Sequence, residues 1–183
     1  MTSSRVFWVF FTVLVAIASH LSYVLFVPAN QLQNKINAVV NEHGVNQLAF
    51  AIAGSAAAQI VQHPDELVYA VCPFDLSRGP LLISSRVPDD YWSLEVYNER
   101  GGTIYTINDQ QVPRKQFNLE LYDDDPDPQA IVNTAQSSSS SSLITILTGS
   151  TRGVVIIRSA GATQLERTRS LEALKSSSCS VKS

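Results

Sequence analysis

The hydrophobic pattern of the chain changes once, from a long apolar run to short alternating segments. Residues 6–27 contain no acidic or basic residue apart from His20. As a helix, this run is about 33 Å long, enough to cross the hydrocarbon core of a bilayer. Trp8 and Tyr23 lie towards its two ends, where amphipathic rings favour the headgroup region. The pattern therefore predicts an N-terminal transmembrane anchor over residues 1–29.

A cleaved signal peptide is the alternative for this segment. Val27-Pro28-Ala29 loosely resembles a small-residue cleavage site, and Arg5 supplies a positive charge before the apolar run. Apolar cores of signal peptides are usually about 7–15 residues long, however, and this run is longer. Because only a few residues precede the span, the folded domain must follow it. Either outcome exports that domain.

Residues 30–62 are predicted to form a helical or irregular linker. Residues 28–43 have helical spacing of apolar side chains, and Gly44 is a stop signal. We expect this helix to continue the anchor after a kink. Residues 45–62 are rich in alanine and are compatible with helix and with strand.

From Leu67 onward the period becomes that of β-strands. Trp92, Leu94 and Val96 alternate with more polar neighbours, which is typical of a strand with one buried face. Residues 99–102 (Glu-Arg-Gly-Gly) predict a hairpin turn. Short connections without helices favour antiparallel pairing, and hence a mainly β domain, a sandwich or flattened barrel, over residues 63–160. Seven runs of strand length carry this prediction: 67–74, 81–87, 91–98, 103–108, 117–122, 143–148 and 154–159.

Two segments depart from the strand pattern. Residues 123–142 combine an acidic run with six serines, and we expect a mobile loop there. Residues 161–183 are predicted to form a short helix, Gln164 to Lys175, followed by a disordered tail. Its apolar positions, expected to face inward, are Leu165, Leu171 and Leu174.

Composition excludes some functions. Beyond the span lie 12 of the 13 basic residues and all 16 acidic ones, so the exported part carries a charge of about −4. This balance provides no basic face for nucleic acid and no polybasic patch for anionic lipid. Two cysteines match no metal motif, and a buried, free Cys72 is favoured, although Cys72 and Cys179 could pair in an oxidising compartment.

Candidate chemistry is concentrated at residues 75–80 (Asp-Leu-Ser-Arg-Gly-Pro). Asp75 and Ser77 are residue types that cap turns, so the hexapeptide is interpreted as the turn between two strands, with Arg78 able to bind an anion at the rim. A serine hydrolase is disfavoured because no Gly-x-Ser-x-Gly occurs and only His43 and His63 follow the span. A catalytic pair of Cys72 with His63 is disfavoured too, since an apolar setting raises the pKa of a thiol.

Carboxylates and aromatic rings suggest a second chemistry. Asp89-Asp90 or Glu95 could act as acid and base on a sugar, and tyrosines could stack on it. Turn and core roles explain these residues equally well, and the acidic residues 123–127 are interpreted as solvated and not as a calcium site. No catalytic residue, metal or cofactor is therefore predicted. The candidate binding residues are Asp75, Ser77, Arg78, Tyr91 and Tyr97.

Several turn and strand residues match a known family. They are Pro64-Asp65, Asp75-Leu76-Ser77, Gly79-Pro80, Pro88, Tyr91-Trp92-Ser93-Leu94, Tyr97, Asn108-Asp109 and the run from Gly153 to Arg158. Residues 63–109 in particular resemble the bacterial "domain of unknown function 1254" family, especially its short membrane-anchored members.

The resemblance implies an all-β, jelly-roll-like domain and brings no established catalytic residues. Relatives often carry a second domain of unknown function, numbered 1214, which we hypothesise is supplied here by a separate partner chain. A Gram-negative source follows from the same resemblance. A Gram-negative source in turn implies an anchor in the inner (cytoplasmic) membrane with the C-terminal domain in the periplasm.

Two functions are consistent with these features. The first is a non-catalytic, membrane-tethered β-sandwich that binds a partner protein or an envelope component. The alternative is an enzyme or binding module acting on envelope carbohydrate, with Asp75, Arg78, Tyr91 and Tyr97 converging on one concave surface. Dispersal of these four side chains would count against the alternative.

Overall fold

The computed structural model describes residues 2–61, 66–112, 116–123 and 142–182, and most of the expected mobile loop and His63 lie outside these ranges. The described part contains three α-helices, α1 (Thr2–His43), α2 (Ala56–Val61) and α3 (Gln164–Lys175). All seven expected strands are present. The strands are β1 (Ala49–Phe50), β2 (Leu67–Asp75), β3 (Leu81–Arg86), β4 (Trp92–Asn98), β5 (Thr103–Asn108), β6 (Gln116–Tyr122), β7 (Ser142–Leu147), β8 (Arg152–Ala160) and β9 (Ser178–Val181).

The strands form two sheets, which confirms the mainly β class. One sheet has the order β1-β2-β8-β4-β5, and the other has the order β7-β6-β3-β9. Every pair is antiparallel except β6 and β7, which are parallel. The expectation of purely antiparallel pairing is therefore wrong at this pair. The chain between Tyr122 and Ser142 is long enough for the crossover that parallel strands require, which a short hairpin could not provide.

The inner faces of the two sheets pack on each other. Trp92 of β4 stacks on Phe117 of β6 with ring centroids 5.1 Å apart. Trp92, Leu94 and Val96 are at most 2% exposed, so the predicted inner face of β4 is buried. The opposite face is not open to solvent as expected, since Ser93 is also 2% exposed and Glu95 and Tyr97 are half-buried. The same core includes Ala70, Cys72, Phe74, Leu81, Ile83, Leu119, Leu121, Val155 and Ile157.

The second half of α1 packs on the outer face of the five-stranded sheet. Leu32 lies beside the β4–β5 hairpin, where a Cβ added to Gly101 would lie 3.3 Å from its Cδ2 atom. Further along the helix, Val39 forms an apolar cluster with Val71 of β2 and Val154 of β8. The helix therefore crosses the strands from the β4–β5 hairpin to β2. It ends before Gly44, whose φ of 93° is easily adopted by glycine, as the stop signal predicts.

The first half of α1 lies outside this packing. Its large hydrophobic residues from Val6 to Phe26 are 48–69% exposed. By length and composition this helix could cross a membrane, and none of its most apolar 18-residue window is buried. It is continuous with the packed half, so one helix extends from Thr2 to His43.

The C-terminal region is more ordered than expected. Helix α3 has the predicted bounds and buries Leu174, but Leu165 is 60% exposed. Nine residues are two and a half turns, so these two leucines lie on opposite sides of the helix. The expected disordered tail instead contains β9, which pairs with β3 and places Cys179 opposite Ile83.

Cys72 and Cys179 form a disulfide, and the expectation of a free Cys72 is therefore wrong. The bond links the middle of β2 in one sheet to β9 in the other, with Cα atoms 6.6 Å apart. Both residues are buried, at 0% and 7% exposure. The two residues are 107 positions apart in sequence, and the pairing of β9 with β3 brings Cys179 close to Cys72.

Removing this disulfide should destabilise the domain. We expect Cys72→Ala and Cys179→Ala each to lower the free energy of unfolding by about 2–5 kcal/mol, because the unfolded chain loses a long covalent loop. Denaturant titration of the full chain in detergent, followed by Trp fluorescence, measures this change. Adding a thiol reductant should weaken the wild type and leave the variants unchanged; equal stability of all three proteins would contradict the prediction.

Candidate functional site

A cleft opens between α1 and the ends of β2, β4 and β8, and we call it the helix–strand cleft. Its volume is about 300 Å³. Pro73 and Phe74 contribute to its apolar part, and Gln33 and Asn37 contribute amide groups from α1. Four charged residues also line it, and they come from separate parts of the chain: Asp75, Arg78, Glu99 and Arg152.

Asp75 is the most constrained of these residues. Its carboxylate accepts hydrogen bonds from the Ser77 backbone N–H at 3.0 Å and from Arg152 Nε at 3.1 Å. Its backbone N–H donates to the side-chain oxygen of Asn46, and its backbone C=O accepts from the side-chain nitrogen of the same residue. Hydrogen bonds from Ser77 lower the pKa of Asp75 more than partial burial raises it, and Arg152 lowers it further. Asp75 is therefore an ionised, fixed acceptor.

The hexapeptide at 75–80 is a turn, as the sequence indicates. Leu76–Arg78 form a single turn of 3₁₀-helix that Asp75 caps, and Gly79 follows with φ of 124°. Ser77 contributes its backbone N–H to this cap and is not among the residues lining the cleft. Arg78 lines the cleft, so the turn places one positively charged side chain there.

Two charged side chains of the cleft have no charged partner. Within the part of the chain that the structure describes, neither Arg78 nor Glu99 makes a salt bridge or a side-chain hydrogen bond. Arg152 uses its Nε on Asp75, and its side chain is 68% exposed. The cleft thus presents an unpaired guanidinium and an unpaired carboxylate beside an internal ion pair.

A second cleft of about 310 Å³ lies beside the other side of α1. Its polar side chains are bonded to each other: Arg158 donates to Ser93 and Glu95, and the Tyr97 hydroxyl donates to Glu95. Burial, and then the bond to Glu95, raise the pKa of Tyr97 to about 12. Burial also raises the pKa of Tyr69, which lines the same cleft. This cluster satisfies its own charges.

The five candidate binding residues do not converge. Asp75 and Arg78 line the helix–strand cleft, and Tyr97 lines the second cleft. Tyr91 is 45% exposed, lies just before β4 and lines neither cleft.

Sequence reasoning missed Glu99, Arg152 and Arg158. Arg152 could have been found from the pairing of β2 with β8, because that register places this arginine directly opposite Asp75. Among residues 2–61, 66–112, 116–123 and 142–182, no three His, Cys, Asp or Glu side chains gather as metal ligands. Most of the acidic run at 123–127 lies outside these ranges.

Comparison with known proteins bears on the fold alone. No protein-family model and no curated protein matches the chain. The chain is similar to the VPA0106 protein from Vibrio parahaemolyticus, with 12% identity and a TM-score of 0.59, over 88% of this chain and 38% of that one. A putative uncharacterized protein from Burkholderia cenocepacia has 16% identity and a TM-score of 0.43, over 69% of this chain and 36% of that one. The chain therefore spans little more than a third of each solved structure.

The second cleft gives a prediction for Tyr97. The protonated phenol is favoured in the folded state, so its contribution to stability is present below pH 10 and is lost as pH rises towards 12. Titration of phenolate absorbance should show a component with a pKa of about 12 that Tyr97→Phe removes. The control Tyr91→Phe, at an exposed tyrosine, should retain it. Persistence of that component in Tyr97→Phe would assign it elsewhere.

Proposed function

We propose that this chain is a single-pass membrane protein whose β domain lies outside the cytoplasm and binds an envelope component without catalysing a reaction. The observation that carries the proposal is the uncovered first half of α1, whose large hydrophobic residues are 48–69% exposed. In water, an apolar surface of this size would be strongly unfavourable. In a bilayer, the same surface is in its preferred environment.

Two hydroxyl groups within the span are compatible with the same proposal. Thr12 donates to the Trp8 carbonyl at 2.8 Å, and Ser22 donates to the Ala18 carbonyl at 2.9 Å. In hydrocarbon, a hydroxyl without a partner would be costly because no water can replace the lost hydrogen bond. The helix itself therefore supplies the partners of these two groups.

The disulfide supports an oxidising compartment for the domain. Disulfides persist outside the cytoplasm and are rare within it. With an N-terminal anchor, the simplest arrangement places Cys72 and Cys179 on the extracytoplasmic side. Together with the Gram-negative family resemblance, this favours an inner-membrane anchor with the domain in the periplasm.

A binding role fits the polar residues better than catalysis does. Asp75 is held as an ionised acceptor by Ser77 and Arg152, so it is poorly suited to transfer protons at neutral pH. The four residues of the carbohydrate alternative are divided between two clefts and an exposed position. The helix–strand cleft, with Arg78 and Glu99 unpaired, is the site we assign to binding.

The family resemblance also suggests a jelly-roll-like arrangement and a partner. We propose that a separate chain supplies the companion domain here. This chain would then be one part of an envelope assembly.

Cell fractionation tests the tether. We expect the full chain to sediment with membranes and to resist carbonate extraction, because a spanning helix is not released by high pH.

Two further measurements test the side of the membrane on which the domain lies. A reporter fused after Ser183 should be accessible only from outside the cytoplasm. In non-reducing conditions the cysteines should resist alkylation; in cells lacking the disulfide oxidase they should react. A freely soluble, reduced protein in the cytosol would contradict the proposal.

Crosslinking tests the partner. In detergent-solubilised membranes, we expect a crosslinked species heavier than this chain that contains a second polypeptide. The Cys72→Ala variant, with a weakened domain, should give less of it. Recovery of this chain as a solitary monomer under the same conditions would contradict a stable partner.

A further inference from the structure

We propose that the helix–strand cleft binds a small zwitterion that carries both a phosphate and a primary ammonium group, the chemistry of phosphoethanolamine. The ligand can come from two sources, a lipid headgroup or the free compound. This inference rests on the proposed function and names the ligand class of the same cleft.

Two guanidinium groups of the cleft suit a phosphate. Arg78 comes from the 3₁₀ turn after β2, and Arg152 comes from the first position of β8. Arg152 donates to Asp75 through Nε, and its Nη groups make no hydrogen bond within the described ranges. Guanidinium groups match phosphate oxygens in a bidentate geometry. Both arginines line the same cleft and have donors without a partner among the described residues, so they are the groups we assign to the phosphate.

Glu99 is the group we assign to the ammonium. Its backbone N–H donates to the Arg152 carbonyl at 3.1 Å, so the β4–β5 hairpin is held against the start of β8. Its carboxylate is unpaired among the described residues. Asp75 and Arg152 offset each other, which leaves one positive charge on Arg78 and one negative charge on Glu99. A simple anion would be opposed by Glu99 and a simple cation by Arg78, whereas a zwitterion satisfies both.

Uncharged parts of the cleft suit the rest of such a ligand. Gln33 and Asn37 can hydrogen-bond ester or hydroxyl oxygens, and Pro73 and Phe74 offer an apolar surface to methylene groups. A volume of about 300 Å³ is at the lower end for small-molecule sites. The cleft is therefore suited to a compact polar ligand.

The position of the cleft along α1 favours a lipid source. Gln33 is six residues beyond the end of the apolar run, which corresponds to about 9 Å along a helix. Headgroup layers extend roughly 5–7 Å beyond the hydrocarbon core on each side. The rim of the cleft would thus lie close to the outer limit of the headgroups.

Binding of defined probes to the full chain tests the proposal. With phosphoethanolamine and lipid-free protein in a non-ionic detergent, calorimetry should detect binding that Arg78→Ala weakens at least about tenfold. Glu99→Gln should weaken phosphoethanolamine and leave the affinity for inorganic phosphate unchanged or higher. The control Arg169→Ala, at an exposed arginine of α3, should bind like the wild type.

Nanodiscs separate the two sources. Native mass spectrometry should show phosphatidylethanolamine retained over phosphatidylcholine, with the preference lost in Arg78→Ala. Selective retention of the lipid, or binding of the free compound alone, would each support the ligand chemistry and identify its source. Equal affinity for phosphate with and without the amine, or no effect of Arg78→Ala and Glu99→Gln, would overturn it. If the protein is anchored in the membrane but does not bind the zwitterion, the proposed ligand is wrong and the proposed membrane anchor stands. If the protein binds the zwitterion but is soluble in cells, the proposed membrane anchor is wrong and the ligand stands.

Discussion

The packing of the second half of α1 on the outer face of the five-stranded sheet determines most other features of the molecule. Val39 contacts an apolar patch that includes Val71 and Val154, so the helix is held across the strands. The uncovered half continues the same helix, and the orientation of the domain relative to that half is set by this contact. Both clefts exist because a cylinder on a twisted sheet leaves open space on either side.

Strand β8 supplies one arginine to each cleft, Arg152 to the helix–strand cleft and Arg158 to the second cleft. Arg152 and Arg158 are six residues apart, and an even spacing places both on the same face of a strand. Between them, Val154 and Ile156 face the same way and belong to the apolar cluster under the helices. One strand therefore has a covered apolar middle and a charged group towards each end. Its neighbours β2 and β4 supply the acidic partners, Asp75 and Glu95.

Local patterns were enough to predict seven strands from their length and apolar residues, the Glu99–Gly102 hairpin from its glycines, and α3 from its helical spacing. Three features depend instead on what the rest of the fold offers. Strand β9 contains three polar or small residues in four, and it is ordered by pairing with β3. The disulfide follows from that pairing. The candidate site joins Arg78, Glu99 and Arg152, which are distant in sequence and meet only through strand register.

The contrast between the polar clusters is the strongest reason to assign binding to the helix–strand cleft. In the second cleft Glu95 is engaged by Arg158 and Tyr97, and on the other sheet the buried Glu120 is engaged by Lys182. Buried or half-buried charges in proteins are normally paired in this way, because an unpaired charge loses hydration without compensation. Glu99 is half-buried and departs from that rule, and it lines the same cleft as the exposed, unpaired Arg78.

Close packing at Gly153 holds together the strands that border this cleft. A Cβ atom there would lie 2.1 Å from the Tyr97 carbonyl oxygen and 2.6 Å from the Phe74 ring, so a larger residue would push the strand ends apart. With glycine, β8 stays paired with both β2 and β4 up to this position, and charged residues at these strand ends line the same cleft. The sheet thus brings four charged residues to one cleft, where only Asp75 and Arg152 pair with each other. A ligand that carries both charges can pair with the other two, Arg78 and Glu99.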